Sequence, residues 1–410
     1  MNSFETMLDR YAELVVKVGV NIQSGQTLVV SAAIDSAELV RKIARKAYEA
    51  GAKHVHFEWN DDELTRLRYD LAPDEAFEEF PMWRAKGFEE MAENGAAFLS
   101  IVASNPNLLK GVDSKRIATA NRVAGKAMAK YRNYTMSDQV SWTVISAPSA
   151  AWAALVFPDL PEAERIPALW NAIFKATRCD LDNPIAAWKE HKATLHAKVT
   201  HLNEKKYRAL HYKAPGTELT IQLPEGHLWI GGGSVNKDGV NFTANMPTEE
   251  VFTAPFREGV NGVVQSTKPL SYQGNLIENF SITFEKGRIV SFTAKAGQEA
   301  LQRLVDMDEG SHYLGEVALV PHQSPISQSN TIFYNTLFDE NASNHLAIGR
   351  AYPICLEGGA DMSEEELQKR GLNESLSHVD FMIGSAEMDI DGETADGKLE
   401  PIFRGGNWAF

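Results

Sequence analysis

The strongest constraint on this chain is a change of periodicity near residue 205. Before it, apolar β-branched runs alternate with amphipathic helical stretches. After it, short strands follow one another with turns between. "QTLVVSA" (26–32) has the composition of a buried parallel strand. In "DSAELVRKIARKAYEAG", Asp35 or Ser36 can cap a helix that puts Leu39, Val40, Ile43, Ala44 and Ala47 on one face and stops at Gly51. "KHVHFEW" returns as a strand and completes a βαβ unit. "AAFLSIVA" (96–103), a helix around 115–131 and "SWTVISA" (141–147) repeat the alternation. Residues 1–204 are therefore expected to form a three-layer α/β domain.

A polar bridge, "HLNEKKYR" (201–208), precedes the second texture. "TELTIQLP", "HLWIGGG" and "VNFTAN" alternate as short strands. "SITFEKGRIVSFTA" reads as a hairpin turning at Lys286-Gly287, and "SEEELQKRGL" (363–372) as a short capped helix. Residues 205–410 are expected to form an antiparallel β-barrel-like domain with a few helices.

Charge narrows the function classes. The 40 basic and 55 acidic residues leave a net charge of −15, which repels phosphate backbones and anionic lipid surfaces, so nucleic acid and membrane partners are not expected. Cys179 and Cys355 make no disulfide framework. With no secretory signal and no apolar run of the ~20 residues that span a bilayer, the expected location is cytoplasmic. The first strand enters its helix without the Gly-rich turn that a dinucleotide site requires, and there is neither a Walker loop nor a Gly-x-Ser-x-Gly elbow. The glycines 231–233 read as a turn.

Candidate chemistry collects in the last 170 or so residues. His378 and Asp380 stand two apart on the strand "HVDFM" and so share a face. Glu250 lies in "NMPTEEVFTAP", Glu316 in "LGEVALVP", and Glu340 and His345 in "LFDENASNHLAIG". Each sits in an apolar segment, where an unpaired charge is costly to bury. Buried carboxylates are neutralised by arginine, a shared proton or a metal; few cationic residues lie near, Arg257, Lys268 and Arg350 among them. These residues are compatible with a divalent cation cluster, although no pair has the tight spacing of a His-Glu-x-x-His helix. Other histidines read differently. His54 and His56 alternate with Glu58 on a polar strand face. His191, His196 and His201, five apart, spread around a helix as solvated residues. Glu249 and Glu258 read as solvent-facing, Cys355 as a small buried apolar residue, Tyr352 as either a packing or a site residue, and Glu340 as either a helix cap with Asp339 or a site residue.

At these segments the chain resembles the aminopeptidase T, aminopeptidase S and PepS family of metalloaminopeptidases, also called thermophilic metalloproteases. The likeness runs through "VKVGVNIQSGQTLVVSA", "NMPTEEVFTAP", "LGEVALVP", "NTLFDENASNHLAIG" and "HVDFMIGS", in family order. It implies a cytoplasmic homodimer that removes N-terminal residues from peptides through a hydroxide activated by two divalent ions. It matches Glu250, Glu316, His345, His378 and Asp380 to metal ligands, and Glu340 and Tyr352 to further active-site positions. Nitrogen and carboxylate ligands suit Zn, Co, Mn or Mg. Glu316, the most apolar-flanked, is the expected bridge between two ions, with Glu250 or Glu340 as proton shuttle and Tyr352 as hydrogen-bond donor to the tetrahedral oxyanion. The competing readings are a two-metal hydrolase of another bond, such as a phosphoester, and a ligand-binding protein with a structural metal.

Overall fold

The computed structural model describes residues 3–103, 105, 107–272 and 275–410. The chain divides into two compact units: Met1–Glu190 with Gly233–Pro247, and His191–Gly232 with Thr248–Phe410.

In the first unit, strands β1 (Thr27–Ala33), β2 (His54–Asn60), β3 (Ala97–Val102) and β4 (Trp142–Ser146) form one parallel sheet in the order β2-β1-β3-β4. Helix α1 (Phe4–Leu14) is capped by the Ser3 hydroxyl, which accepts the Thr6 N–H. Helix α2 (Ala37–Glu49) buries Leu39, Val40, Ile43 and Ala47 against the sheet, as its period requires. It ends where Gly51 takes a φ of 95°, a backbone state that glycine reaches without strain. The helix expected at 115–131 is two helices, α3 (Ser114–Ala127) and α4 (Ala129–Met136). On β2, His56 and Arg84 both pair with Glu58, at 3.0 and 3.1 Å, so the histidine row is a polar face.

In the second unit the bridge expected at 201–208 is helical up to Lys205, within α5 (Pro184–Lys205). Its charges are spread along a helix surface, which composition does not separate from a linker. A nine-stranded antiparallel sheet contains the hairpin Asn275–Glu285/Arg288–Ala296. Lys286 and Gly287 both take positive φ, 48° and 81°, as the tight primed hairpin turn demands. The short helix α6 (Glu364–Lys369) carries a full capping box between Ser363 and Glu366. Among the described residues, neither antiparallel sheet has a pairing order that returns to its first strand.

The second antiparallel sheet carries the candidate site. Its five strands are β5 (Ile230–Gly231), β6 (Val251–Thr253), β7 (Leu314–Leu319), β8 (His345–Gly349) and β9 (His378–Met382), side by side in that order. Their alternation is strict on one face: Val251, Val317, Leu319, Leu346, Ile348 and Phe381 enter the main hydrophobic core. One bulge adjusts it. Leu314 pairs with Ile348 and Glu316 with Ala347, with Gly315 left between them. The extra residue lets Leu314 join the core while Glu316, two residues later, points to the opposite face. A Cβ on Gly315 would sit 2.2 Å from the Arg350 carbonyl oxygen and 2.4 Å from that of Gly349. Gly315→Ala is therefore expected to cost ~2 kcal/mol or more through overpacking of backbone on backbone; urea denaturation of the metal-free chain measures it.

Candidate metal centre

Residues paired across a sheet share a face. Glu316 pairs with Ala347, and Ala347 with Asp380; Ala318 pairs with His345 and Phe252; Gly349 pairs with His378. With the period of two along each strand, Glu316, His345, His378 and Asp380 all project from the face opposite the core. Glu250 precedes β6 in phase with Phe252 and joins them. Ala318 and Ala347 between them are fully buried and small, and leave room for the polar atoms.

The polar atoms converge in two groups. Glu250, Glu316 and His345 form one, and Glu316, His378 and Asp380 the other; within each, the candidate ligand atoms lie within 4.8 Å of one another. Glu316 belongs to both. Its Oε1 is 3.6 Å from His345 Nε2, and its Oε2 is 3.3 Å from His378 Nε2. His345 Nε2 is also 3.1 Å from Glu250 Oε2, and His378 Nε2 is 3.4 Å from Asp380 Oδ1. Behind each ring, Nδ1–H donates to a backbone carbonyl: His345 to Ser343 at 3.0 Å, and His378 to Arg350 at 2.7 Å. A carbonyl only accepts, so the proton sits on Nδ1, and in the neutral ring the Nε2 lone pair faces the carboxylates. This is the outer-shell arrangement that fixes metal-ligating histidines. Two sets of one imidazole nitrogen plus carboxylate oxygens fit a pair of divalent cations.

Without cations the same atoms must share protons. Burial disfavours charge on both rings. The hydrogen bonds to Glu250 and Glu316 overcome it for His345, and those to Asp380 and Glu316 overcome it for His378, so both imidazoles are pushed well above their usual range. Burial also works against ionised Glu316, but the two imidazoles prevail and bring it down to about 2. Glu250 is pushed up by burial, only partly offset by His345.

The remaining expected positions adjoin this cluster. Burial, then the charges of Asp380 and Glu250, push Glu340 well above its ordinary value, so it lies within their field without belonging to either triad. The nearby helix Thr336–Asp339 is capped at its N-terminus by the Asn335 side chain, and Glu340 takes its C-cap position, where its backbone N–H donates to the Thr336 carbonyl. The buried Asp339 carboxylate instead accepts the N–H groups of Phe333 and Asn335. The Tyr352 ring stands 4.8 Å from the His378 ring and 6.0 Å from Phe252, centroid to centroid. Burial and the surrounding carboxylates, Glu316 first, keep its phenol protonated. Arg350 pairs outward with Glu374 and Glu364, and Arg257 stacks on Tyr313.

Two expectations are corrected. Glu249 is buried, and its carboxylate lies 3.6 Å from His191 Nε2, so neither residue is solvated. His191 is held because its ring also bonds the Thr248 carbonyl at 2.8 Å. One contributor carried no sequence signal. Buried Asn341 accepts the Glu249 N–H and donates to the Leu337 carbonyl and Glu340 Oε1, tying the Glu250 segment to the Glu340 turn.

Comparison with known proteins gives a consistent picture. The family described as thermophilic metalloprotease (M29) matches residues 4–408. Aminopeptidase AmpS of Bacillus subtilis (strain 168) is 64% identical over 410 residues, covering all of both chains. Aminopeptidase 2 of Geobacillus stearothermophilus is 60% identical, covering all of this chain and 99% of the other. The structure of wild-type AmpT from Thermus thermophilus superposes with a TM-score of 0.94 at 44% identity, covering all of both chains.

In the metal-free protein, His345 and His378 are expected to stay protonated well beyond the ordinary imidazole range, because Glu250, Glu316 and Asp380 hold their protons. A raised imidazole pKa contributes stability that is complete below its unfolded value and is lost as pH rises through the folded value. Glu316 acts in the opposite direction: its contribution is present above its unfolded pKa and is lost as pH falls towards 2. An imidazole titration by NMR on chelator-treated protein checks both rings; values at or below the ordinary 6.5 or so would show the geometry to be wrong.

Proposed function

The chain belongs to the thermophilic metalloprotease family M29 and is a peptidase; we propose that it removes N-terminal residues from peptides with the help of two divalent cations. The observation that carries this reading is Glu316, whose two oxygens face two different imidazoles. One cation would be held by Glu250, His345 and Glu316, and the other by Glu316, His378 and Asp380. Zn, Co and Mn suit imidazole with carboxylate donors, and Mg the carboxylates alone. When bound, the ions supply Lewis acidity towards the scissile carbonyl and lower the pKa of water to near neutrality.

The protein's own groups do the rest. The Ser343 and Arg350 carbonyls hold both rings in one tautomer and orientation. Glu340, outside both triads and favouring its protonated form, would deliver a proton from its carboxyl to the leaving amine nitrogen, with Glu250 as the other candidate. The Tyr352 hydroxyl is a donor for the carbonyl oxygen as negative charge develops on it, an interaction of ~3 kcal/mol for comparable donors. The concentration of carboxylates favours a free α-ammonium group, which a peptide presents only at its N-terminus; that selects an exopeptidase. The catalytic site belongs to the part of the chain beyond residue 204, and the working form is a cytoplasmic homodimer acting on peptides.

Hydrolysis of leucine p-nitroanilide and of short peptides tests the activity. It is expected to vanish on verified metal removal and to return on adding Zn, Co or Mn. Glu316→Gln keeps the side-chain shape but removes the shared negative charge. It is expected to reduce bound metal to at most about one ion per chain and to lower kcat by more than ~100-fold, the upper range for disturbing even an outer-shell partner. Full turnover by metal-free protein would refute the proposal.

A further inference from the structure

The site is exposed unevenly. The His345 and Glu316 side chains are 1% and 6% exposed, whereas His378 reaches 21% and Tyr352 is 36% exposed as a residue. Within this unit, a substrate therefore approaches the carboxylates from the side of His378 and Tyr352. Around Glu316 the sheet face offers small or polar groups, Ala318 and Ala347 with Asp380 and His378 beyond; its large apolar side chains are the buried Met382, and Phe252 with its cross-strand partner Ile230. Phe252 is distinguished by its place beside Tyr352. It is in phase with Glu250, pairs with Ala318, is half-buried, and meets the Tyr352 ring edge-on at 6.0 Å and 65°. It packs against a separate apolar cluster that includes Ala254, Cys355 and Leu356, as does the partly buried Ile230, its pairing partner on β5.

We propose that Phe252, braced by the Tyr352 ring, is the apolar wall that receives the side chain of the substrate's N-terminal residue, so that the enzyme selects large apolar and aromatic residues over small ones. This rests on the aminopeptidase reading and adds its specificity determinant. Phe252 lies two residues beyond Glu250 on the same face, so a substrate whose scissile carbonyl reaches the Glu250 side of the cluster would lay its N-terminal side chain against the Phe252 ring. A pocket filled by apolar contact discriminates by the area it covers, which gives ~10- to 200-fold per methylene-scale difference in the known range.

The test compares kcat/KM for phenylalanine and alanine p-nitroanilides in wild-type protein, Phe252→Ala and Phe252→Leu, each reconstituted with the same metal and checked for metal content and folding. In Phe252→Ala the phenylalanine-to-alanine ratio of kcat/KM is expected to fall by ~10-fold or more, mainly through KM for the aromatic substrate. Phe252→Leu keeps an apolar side chain at the core edge and is expected to give an intermediate ratio; if the alanine variant does not fold, the leucine variant decides. A merely structural Phe252 would lower both substrates together, and an unchanged ratio in folded variants overturns the inference. Wild-type protein inert to all N-terminal substrates would instead overturn the aminopeptidase reading, and this inference with it.

Discussion

The Glu316 carboxylate lies on an internal strand of an antiparallel sheet, with one oxygen facing each of two buried imidazoles. A charge there has little water to stabilise it, and removing its partners would cost several kcal/mol. The surrounding sequence supplies those partners from strands that are distant in the chain but adjacent in the sheet. His345 comes from β8 and His378 from β9, while Glu250 and Asp380 are set beyond the two rings. Protons alone satisfy the arrangement only by leaving both imidazoles charged. A pair of divalent cations satisfies it with every ligand in its ordinary deprotonated form.

The backbone imposes the geometry. Both Nδ1–H groups end on carbonyls, and one of these, at Arg350, also closes over Gly315. The residue that shifts Glu316 out of phase with Leu314 therefore leaves just enough space for the carbonyl that orients His378. A side chain at Gly315 would disturb the carboxylate shared by the two imidazoles and one of those imidazoles together. The opposite face of the same strands is continuous core, so moving any ligand to the wrong face would also move an apolar neighbour into the site. Core packing and site geometry are in this sense one register.

How much of this could be read from the chain follows from the range of each signal. The strands and helix of the βαβ unit depend on neighbours within a few residues, and β1, α2, β2, β3 and β4 appear where their periods place them. The hairpin turn at Lys286-Gly287 and the capping box of α6 are local as well. Carboxylates and imidazoles set in apolar strands were legible because burial of charge is written in the flanking residues. Pairing between strands was not. Nothing in "EEVF" says that Glu249 turns towards His191, some sixty residues earlier, rather than to solvent. Nor does the composition of 201–205 distinguish the end of a helix from a linker, or the segment 233–247 announce that it packs with the first unit. Asn341 was invisible for the same reason: its role consists of three hydrogen bonds to two segments.

The division of labour across the site face bears on what the proposed reaction can accept. Its deep end, at His345 and Glu316, is almost closed to solvent, and its open end carries the His378 imidazole, the Tyr352 phenol and the Phe252 ring. A backbone entering mid-chain would have to carry its preceding residues past the nearly closed end at His345 and Glu316, and each polar amide left unpaired there costs ~1–3 kcal/mol. An N-terminal residue brings an ammonium for the carboxylates and a side chain for the aromatic pair. Selection of chain ends would then follow from the closed deep end of the face, and selection among side chains from the position of one phenylalanine two residues after Glu250.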